Sequence, residues 1–156
     1  MARTMTSEAS RELVKNVWAA FASRDEDIIS PLFAPDAQWI APPANATAVA
    51  LGVTDHMKGA TAIAAFVAKR MKLLYQDVSV KFVGFYADGP VVVVEEEMSA
   101  TLTNGLPYKL TYCFIFECRD DVVVRVREYM DTMSGYRQVF AAGHPLSEHL
   151  PLSPAA

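Results

Sequence analysis

Two cysteines, three histidines and no excess of basic charge leave this sequence without the means for several common functions. Cys113 and Cys118 are five apart in one predicted strand, which places them on opposite faces and too far apart to bridge, so both are expected to stay reduced. His56, His144 and His149 have no metal-ligand spacing with a cysteine or carboxylate, so no metal site is expected. The formal net charge of −4, with no basic cluster, lacks the electrostatic footprint of a nucleic-acid binder. No apolar run approaches the roughly 18 residues a membrane span needs. The mostly polar stretch 1–11 shows no signal-peptide pattern, and a cytoplasmic location is the default expectation. There is no Ser/His/Asp order, phosphate-binding loop or glycine-rich dinucleotide fingerprint, so neither a covalent nucleophile nor a bound cofactor is expected.

What is present suits a packed α+β domain. Hydrophobic residues make up 52% and charged residues 21% of the chain, enough for one substantial core. The expectation is a single domain over residues 1–140 followed by a tail at 141–156. Ser7 is read as capping a helix with Leu13, Val14, Val17, Trp18 and Phe21 on one stripe. A second short helix is expected from Asp25 to Phe33, stopped by Pro35, and a short strand around Trp39 from Asp36 to Ala41. Residues 42–57 read as a loop, and the spacing of Ile63, Phe66, Val67, Arg70 and Leu74 predicts a third helix from Lys58 to Tyr75. Four β-rich runs follow, Val78–Tyr86, Pro90–Leu102, Tyr108–Cys118 and Val122–Met133, joined by short turns into an antiparallel meander covered by the helices.

The run VVVVEEEMSA at 91–100 carries the chemistry, because Glu95 and Glu97 share one face of a strand and Glu96 takes the other. A two-residue turn at Asn104-Gly105 pairs Thr103 with Leu106, which sets Ser99 against Leu110, Glu97 against Tyr112 and Glu95 against Phe114. Leu110, Tyr112, Phe114 and Phe116 form the more apolar side of their strand, so Glu95 and Glu97 are expected to point inward. On the last strand Glu128 is the odd residue on the apolar face with Val126 and Met130. A three-residue loop at 119–121 places it beside Tyr112. Carboxyl groups on an apolar face hold protons more tightly, which suits acid and base work near neutral pH. The expected site is therefore Glu97 and Glu128 as general acid and base, with Tyr112 orienting a water or substrate oxygen. Trp39, Glu95, Ser99, Leu110, Phe114, Val126 and Met130 are its walls, and His56 stands at its mouth. Val94, Met98, Cys113, Ile115 and Tyr129 are placed on the outer face, apolar enough for a homodimer through the sheet.

The segments VKNVWAAFASRDEDIISPLFAPDAQW, KGATAIAAF, NGLPYKLTYCFIFECRDD and VVVRVREYMDT resemble, in order and spacing, the SnoaL-like branch of the nuclear-transport-factor-2-like (NTF2-like) superfamily. That group includes ketosteroid isomerases, limonene-epoxide hydrolases and polyketide cyclases. The resemblance covers about residues 8–140. It implies a cone-shaped fold: three N-terminal helices on a curved, mostly antiparallel sheet with a mixed edge, around a hydrophobic pocket. Glu97 and Glu128 match the two acidic positions of the epoxide hydrolases, while Glu95, Trp39 and Ala41 stand where those enzymes carry arginine, tyrosine and asparagine. Ala41 also occupies the region of the isomerases' aspartate base. The function this implies is cofactor-free acid–base chemistry, such as isomerisation, cyclisation, dehydration or addition of water, on a small apolar oxygenated molecule. The alternative is a non-catalytic ligand-binding or dimerisation module of the same fold.

Overall fold

A computed structural model describes residues 4–140. The elements run α1 (Ser7–Ser23), α2 (Glu26–Ile29), β1 (Phe33–Ile40), α3 (Ala46–Leu51), β2 (His56–Lys58), α4 (Ala60–Ala65), β3 (Tyr75–Asp88), β4 (Val91–Leu102), β5 (Pro107–Arg119), β6 (Val122–Met130) and α5 (Thr132–Val139). The strands form one six-stranded sheet in the order β2-β1-β6-β5-β4-β3. All neighbours are antiparallel except β1 and β6, which run parallel. That parallel pair makes the sheet mixed, and the helices cover its inner face, giving the expected α+β architecture. Among the described residues no helix is long and apolar enough to cross a membrane. The expected tail at 141–156, with His144 and His149, lies outside the described residues.

Local chemistry accounts for the helix ends. Thr6, rather than Ser7, caps α1, its hydroxyl accepting from the Ala9 amide at 3.2 Å. Ser7 instead accepts from the Gly89 amide at 2.9 Å, tying the helix start to the β3–β4 turn. The stripe Leu13, Val14, Val17, Ala20 and Phe21 is buried against the sheet. The predicted loop at 42–57 holds α3, capped by the Asn45 side chain, and the start of β2. The predicted helix at 58–75 is shorter at both ends: Lys58 closes β2, Tyr75 opens β3, and Gly59 at φ +97° turns the chain between strand and helix. Beyond Ala65 the helix widens into a π-helical turn at Phe66–Arg70 and then tightens into a 3₁₀ turn at Met71–Leu73. The last strand ends at Met130, not Met133, because Asp131 caps α5 through the Ser134 amide.

Two hairpins decide which side chains face the helices. The β4–β5 loop has three residues, Thr103, Asn104 and Gly105, with the Leu102 amide donating to the Leu106 carbonyl at 2.8 Å and Gly105 at φ +86°. This is a turn closed by a left-handed residue, not the expected two-residue turn. The one extra residue pairs Glu96 with Tyr112, Glu95 with Cys113 and Glu97 with Thr111, which exchanges the two faces of β4. Asp120 and Asp121, both at positive φ, make the β5–β6 loop a two-residue turn, and a bulge follows at Glu117/Cys118. The net displacement there is even, so Glu128 keeps its inward face but lies opposite Phe114 instead of Tyr112.

Candidate active site

The helices and the inner face of the sheet enclose a cavity of about 340 Å³. Its walls are aromatic. Trp18 of α1 packs edge-on against Phe114 of β5 at 5.2 Å and Phe82 of β3 at 5.3 Å between ring centroids. Trp39 of β1 meets Phe21, Phe66 and Phe114 at 5.8, 6.1 and 5.9 Å. Pairs of this kind contribute about 0.5–1.5 kcal/mol each beyond area burial and hold the rings in fixed orientations. The cavity is therefore largely pre-shaped by packing.

Three carboxylates line it: Asp55, which accepts from the Ala44 amide in an exposed hydrogen bond of 2.7 Å, and two from the sheet, Glu96 and Glu128. Glu96 of β4 is 2% exposed, and its Oε2 atom has no hydrogen-bond partner. Burial raises its proton affinity most, the charges of Glu128 and Glu97 raise it further, and its pKa is pushed up to about 8. Glu128 of β6 keeps some accessible surface, yet enough protein surrounds its carboxyl to raise the pKa to about 7, against the lowering effect of a hydrogen bond from Trp39 Nε1 to Oε2 at 2.8 Å. Near pH 7 Glu96 is thus mostly protonated, while Glu128 lies close to its midpoint. Tyr112 stands opposite Glu96, with its hydroxyl hydrogen-bonded to that of Tyr108 at 2.6 Å. Tyr75, against Tyr108 at 4.9 Å between rings, shares a 2.6 Å hydrogen bond with Thr47 of α3. Burial raises all three phenols, so they remain protonated donors.

Of the residues singled out in the sequence, the cavity brings together Trp39, Tyr112, Phe114 and Glu128. Glu97 is not among them: it faces outward and pairs with Lys109 at 3.1 Å. Glu95 and Ser99 face outward with it, because all three shift face together with the three-residue turn. Leu110 and Met130 point inward but line a separate crevice of about 10 Å³ under α5. Val126 is fully buried core opposite Trp39. His56 turns away from the cavity and contacts Gln38 Oε1 at 2.9 Å through Nε2. Val94 and Met98, expected outside, are buried inside, whereas Cys113, Ile115 and Tyr129 do face outward. The sequence reading overlooked Glu96, which it placed on the outer face. The signal for Glu96 was its alternation with Val92, Val94 and Met98, a cleaner apolar series than the one assigned inward. Among the described residues no cluster of three histidines, cysteines or carboxylates is arranged to hold a metal ion.

Comparison with known proteins points to one family. The family model described as a SnoaL-like domain matches residues 14–126. No curated protein sequence matches the chain. Among solved structures, an NTF2-like protein from Burkholderia xenovorans is 22% identical, with a TM-score of 0.71 over 86% of this chain and 98% of that one. A putative isomerase from Bacillus subtilis is 21% identical, with a TM-score of 0.67 over 88% and 96% of the two chains. An LEH-like epoxide hydrolase from M. tuberculosis is 18% identical, with a TM-score of 0.66 over 92% and 98%. At these identities the likeness is one of fold.

Proposed function

This chain belongs to the SnoaL-like domain family, and from that premise we propose that it is a small-molecule enzyme using Glu96 and Glu128 for cofactor-free general acid–base catalysis. The observation that carries the reading is the pair itself: two carboxyl groups with raised proton affinity lining one aromatic cavity. Glu128, whose charged form Trp39 stabilises, is the base. Glu96, protonated at neutral pH, is the acid. In an enolisation of an unsaturated ketone, Glu128 removes a proton from the carbon beside the carbonyl while Glu96 donates its proton to the carbonyl oxygen. Glu128 then delivers its proton to a different carbon of the conjugated enol as the enol O–H returns its proton to Glu96, completing an isomerisation. Tyr112, expected to orient a water or substrate oxygen beside Glu97, is assigned the same role beside Glu96, which it stands opposite. Trp18, another wall residue, has an indole N–H without a partner, a further donor suited to an oxygenated ligand. The substrate is small, mostly apolar and oxygenated, in keeping with the ring-lined walls.

Exchange of α-protons tests this directly. The protein is incubated in D₂O with a panel of small cyclic ketones, and deuterium uptake is followed by mass spectrometry. The native protein is expected to accelerate uptake for at least one ketone, and Glu128→Gln to abolish it while leaving binding intact. Ketones that bind without any exchange would instead favour the non-catalytic binding module. The related LEH-like epoxide hydrolase makes hydration of a small epoxide the second reaction to assay.

The outer face of the sheet supports homodimerisation as part of the same proposal. Tyr86 and Tyr129 are 54% and 51% exposed there, beside the partly buried Ile115 and Val93. Sedimentation at micromolar concentration is expected to give twice the chain mass, and a monomer would overturn it.

A further inference from the structure

The cavity has a second polar end. Arg24, which follows α1 in a left-handed conformation at φ 55°, is the one cationic side chain lining the cavity among the described residues. Its amide donates to the Phe21 carbonyl, and its Nη1 donates to the Val67 carbonyl at 2.9 Å, inside the π-helical turn. Among the described residues no carboxylate forms an ion pair with it, and Lys69 of the same turn pairs with Glu26 instead. Burial lowers its proton affinity, as expected for a charge held partly out of water without a counter-ion. A guanidinium has five N–H donors, and one bond to Val67 leaves the remainder in a fork suited to a carboxylate.

The distribution of groups along the cavity is ordered. Phe21, three residues before Arg24, and Phe66, beside Val67, both pack on Trp39. Trp39 in turn donates to Glu128. Rings therefore separate the arginine on the helical wall from Glu96 and Glu128 on the sheet wall. A neutral apolar ligand would use only the middle of this arrangement, and a ligand with its anion at the acid end would meet like charge.

We propose that Arg24 is an anion-binding subsite and that the ligand is a small apolar molecule bearing a carboxylate, bound with its charge at Arg24 and its apolar body against Phe21, Phe66 and Trp39. This rests on the reading of the cavity as a substrate pocket. The orientation it imposes places the end of the molecule remote from the carboxylate toward Glu96 and Glu128. The substrate class narrows from oxygenated apolar compounds to oxygenated apolar acids.

A matched pair of probes tests the assignment: 1-naphthylacetate and its neutral, near-isosteric amide, titrated against tryptophan fluorescence in native protein, Arg24→Gln and Arg24→Lys. Native protein is expected to bind the acid at least tenfold more tightly than the amide. Arg24→Gln should erase that preference with the amide affinity unchanged, and Arg24→Lys should restore part of it. Equal affinities in native protein, or an equal loss for both probes in Arg24→Gln at unchanged melting temperature, would overturn the subsite and leave the acid pair standing. Failure of native protein to bind either probe would overturn the subsite, whereas the exchange assay with ketones judges the acid pair separately.

Discussion

Glu96 and Glu97 are chain neighbours of identical length-class and charge, yet they occupy two different electrostatic worlds. Glu97 lies on the water side of β4 with Lys109 at 3.1 Å, where both side chains remain partly solvated. Glu96 lies on the helix side among Tyr112, Phe114 and Met98, with an unpartnered oxygen and a pKa of about 8. The backbone of a strand turns consecutive residues to opposite faces, so one peptide step separates a solvated ion pair from a protonated acid. The sequence EEE therefore encodes one buried acid flanked by two surface charges. Proton affinity here is a property of the face, not of the residue type.

The largest way to break the contrast is substitution by glutamine, which keeps shape and removes the titrating proton. Glu96→Gln is expected to lower turnover about 10²–10⁴-fold, the range that a positioned acid contributes, when assayed by ketone exchange. A comparable loss from Glu97→Gln would assign the chemistry to the outer face and defeat the reading. Stability should separate the two faces as well. A carboxyl raised from 4.5 to about 8 binds its proton more tightly folded than unfolded. Its favourable contribution is complete below pH 4.5 and is lost as pH rises toward 8, at up to about 1.4 kcal/mol per pH unit at the steepest. Glu128, raised to about 7, adds in the same direction over a narrower window. Urea unfolding between pH 5 and 8 should show stability falling, and Glu96→Gln should flatten the curve. A rising curve in the native protein would contradict the burial of Glu96.

Smaller effects refine the inner face and the turn that selects it. Trp39→Phe removes the N–H that favours ionised Glu128, so the base holds its proton to higher pH and the acidic limb of the pH–rate profile moves upward. Up to roughly a tenfold rate loss is expected at pH 6, consistent with about 1.5 kcal/mol for a hydrogen bond to a charged group. An unmoved limb would remove Trp39 from the tuning of Glu128. Gly105→Ala probes the turn. A Cβ at Gly105 meets nothing within 4 Å, so the cost is the strain of φ +86° alone, about 1–2 kcal/mol of stability with turnover retained. A neutral result by denaturant titration would mean the left-handed residue is not what fixes the register.

That register also marks where the sequence was readable. Helix and strand runs were legible because their apolar periods are long: the stripe Leu13 to Phe21 and the alternation in β5 both appear as read. The inward face of β5 and of Glu128 followed from the same alternation. The inward acid of β4 did not, because its face was assigned from the turn, and Asn104-Gly105 is compatible with both two-residue and three-residue loops. A single residue in loop length leaves the strands unchanged and exchanges every side chain on one of them. The β5–β6 hairpin shows the converse, since its misreading was even and preserved the face of Glu128. Arg24 was illegible for another reason: its role depends on a carbonyl 43 residues away, in a helical turn whose π-type widening has no sequence marker.

The smallest prediction is the sharpest control on the comparison. Glu97 and Lys109 are diagonal cross-strand neighbours, since Glu97 lies opposite Thr111 and Lys109 opposite Ser99, and their side chains are 33% and 64% exposed. Water screens such a pair and rotamer entropy opposes it, so Glu97→Gln is expected to change stability by no more than about 0.5 kcal/mol. The second-order effect is more informative. Glu97 is the weakest of the influences raising Glu96, after burial and Glu128. Removing its charge should lower the Glu96 pKa slightly, moving the midpoint of the pH–stability curve down while leaving its amplitude nearly intact. Burial, which dominates, is untouched by the change. A large downward shift would show that charge repulsion rather than desolvation holds the proton on Glu96, and the two faces of β4 would then be electrostatically coupled rather than separate.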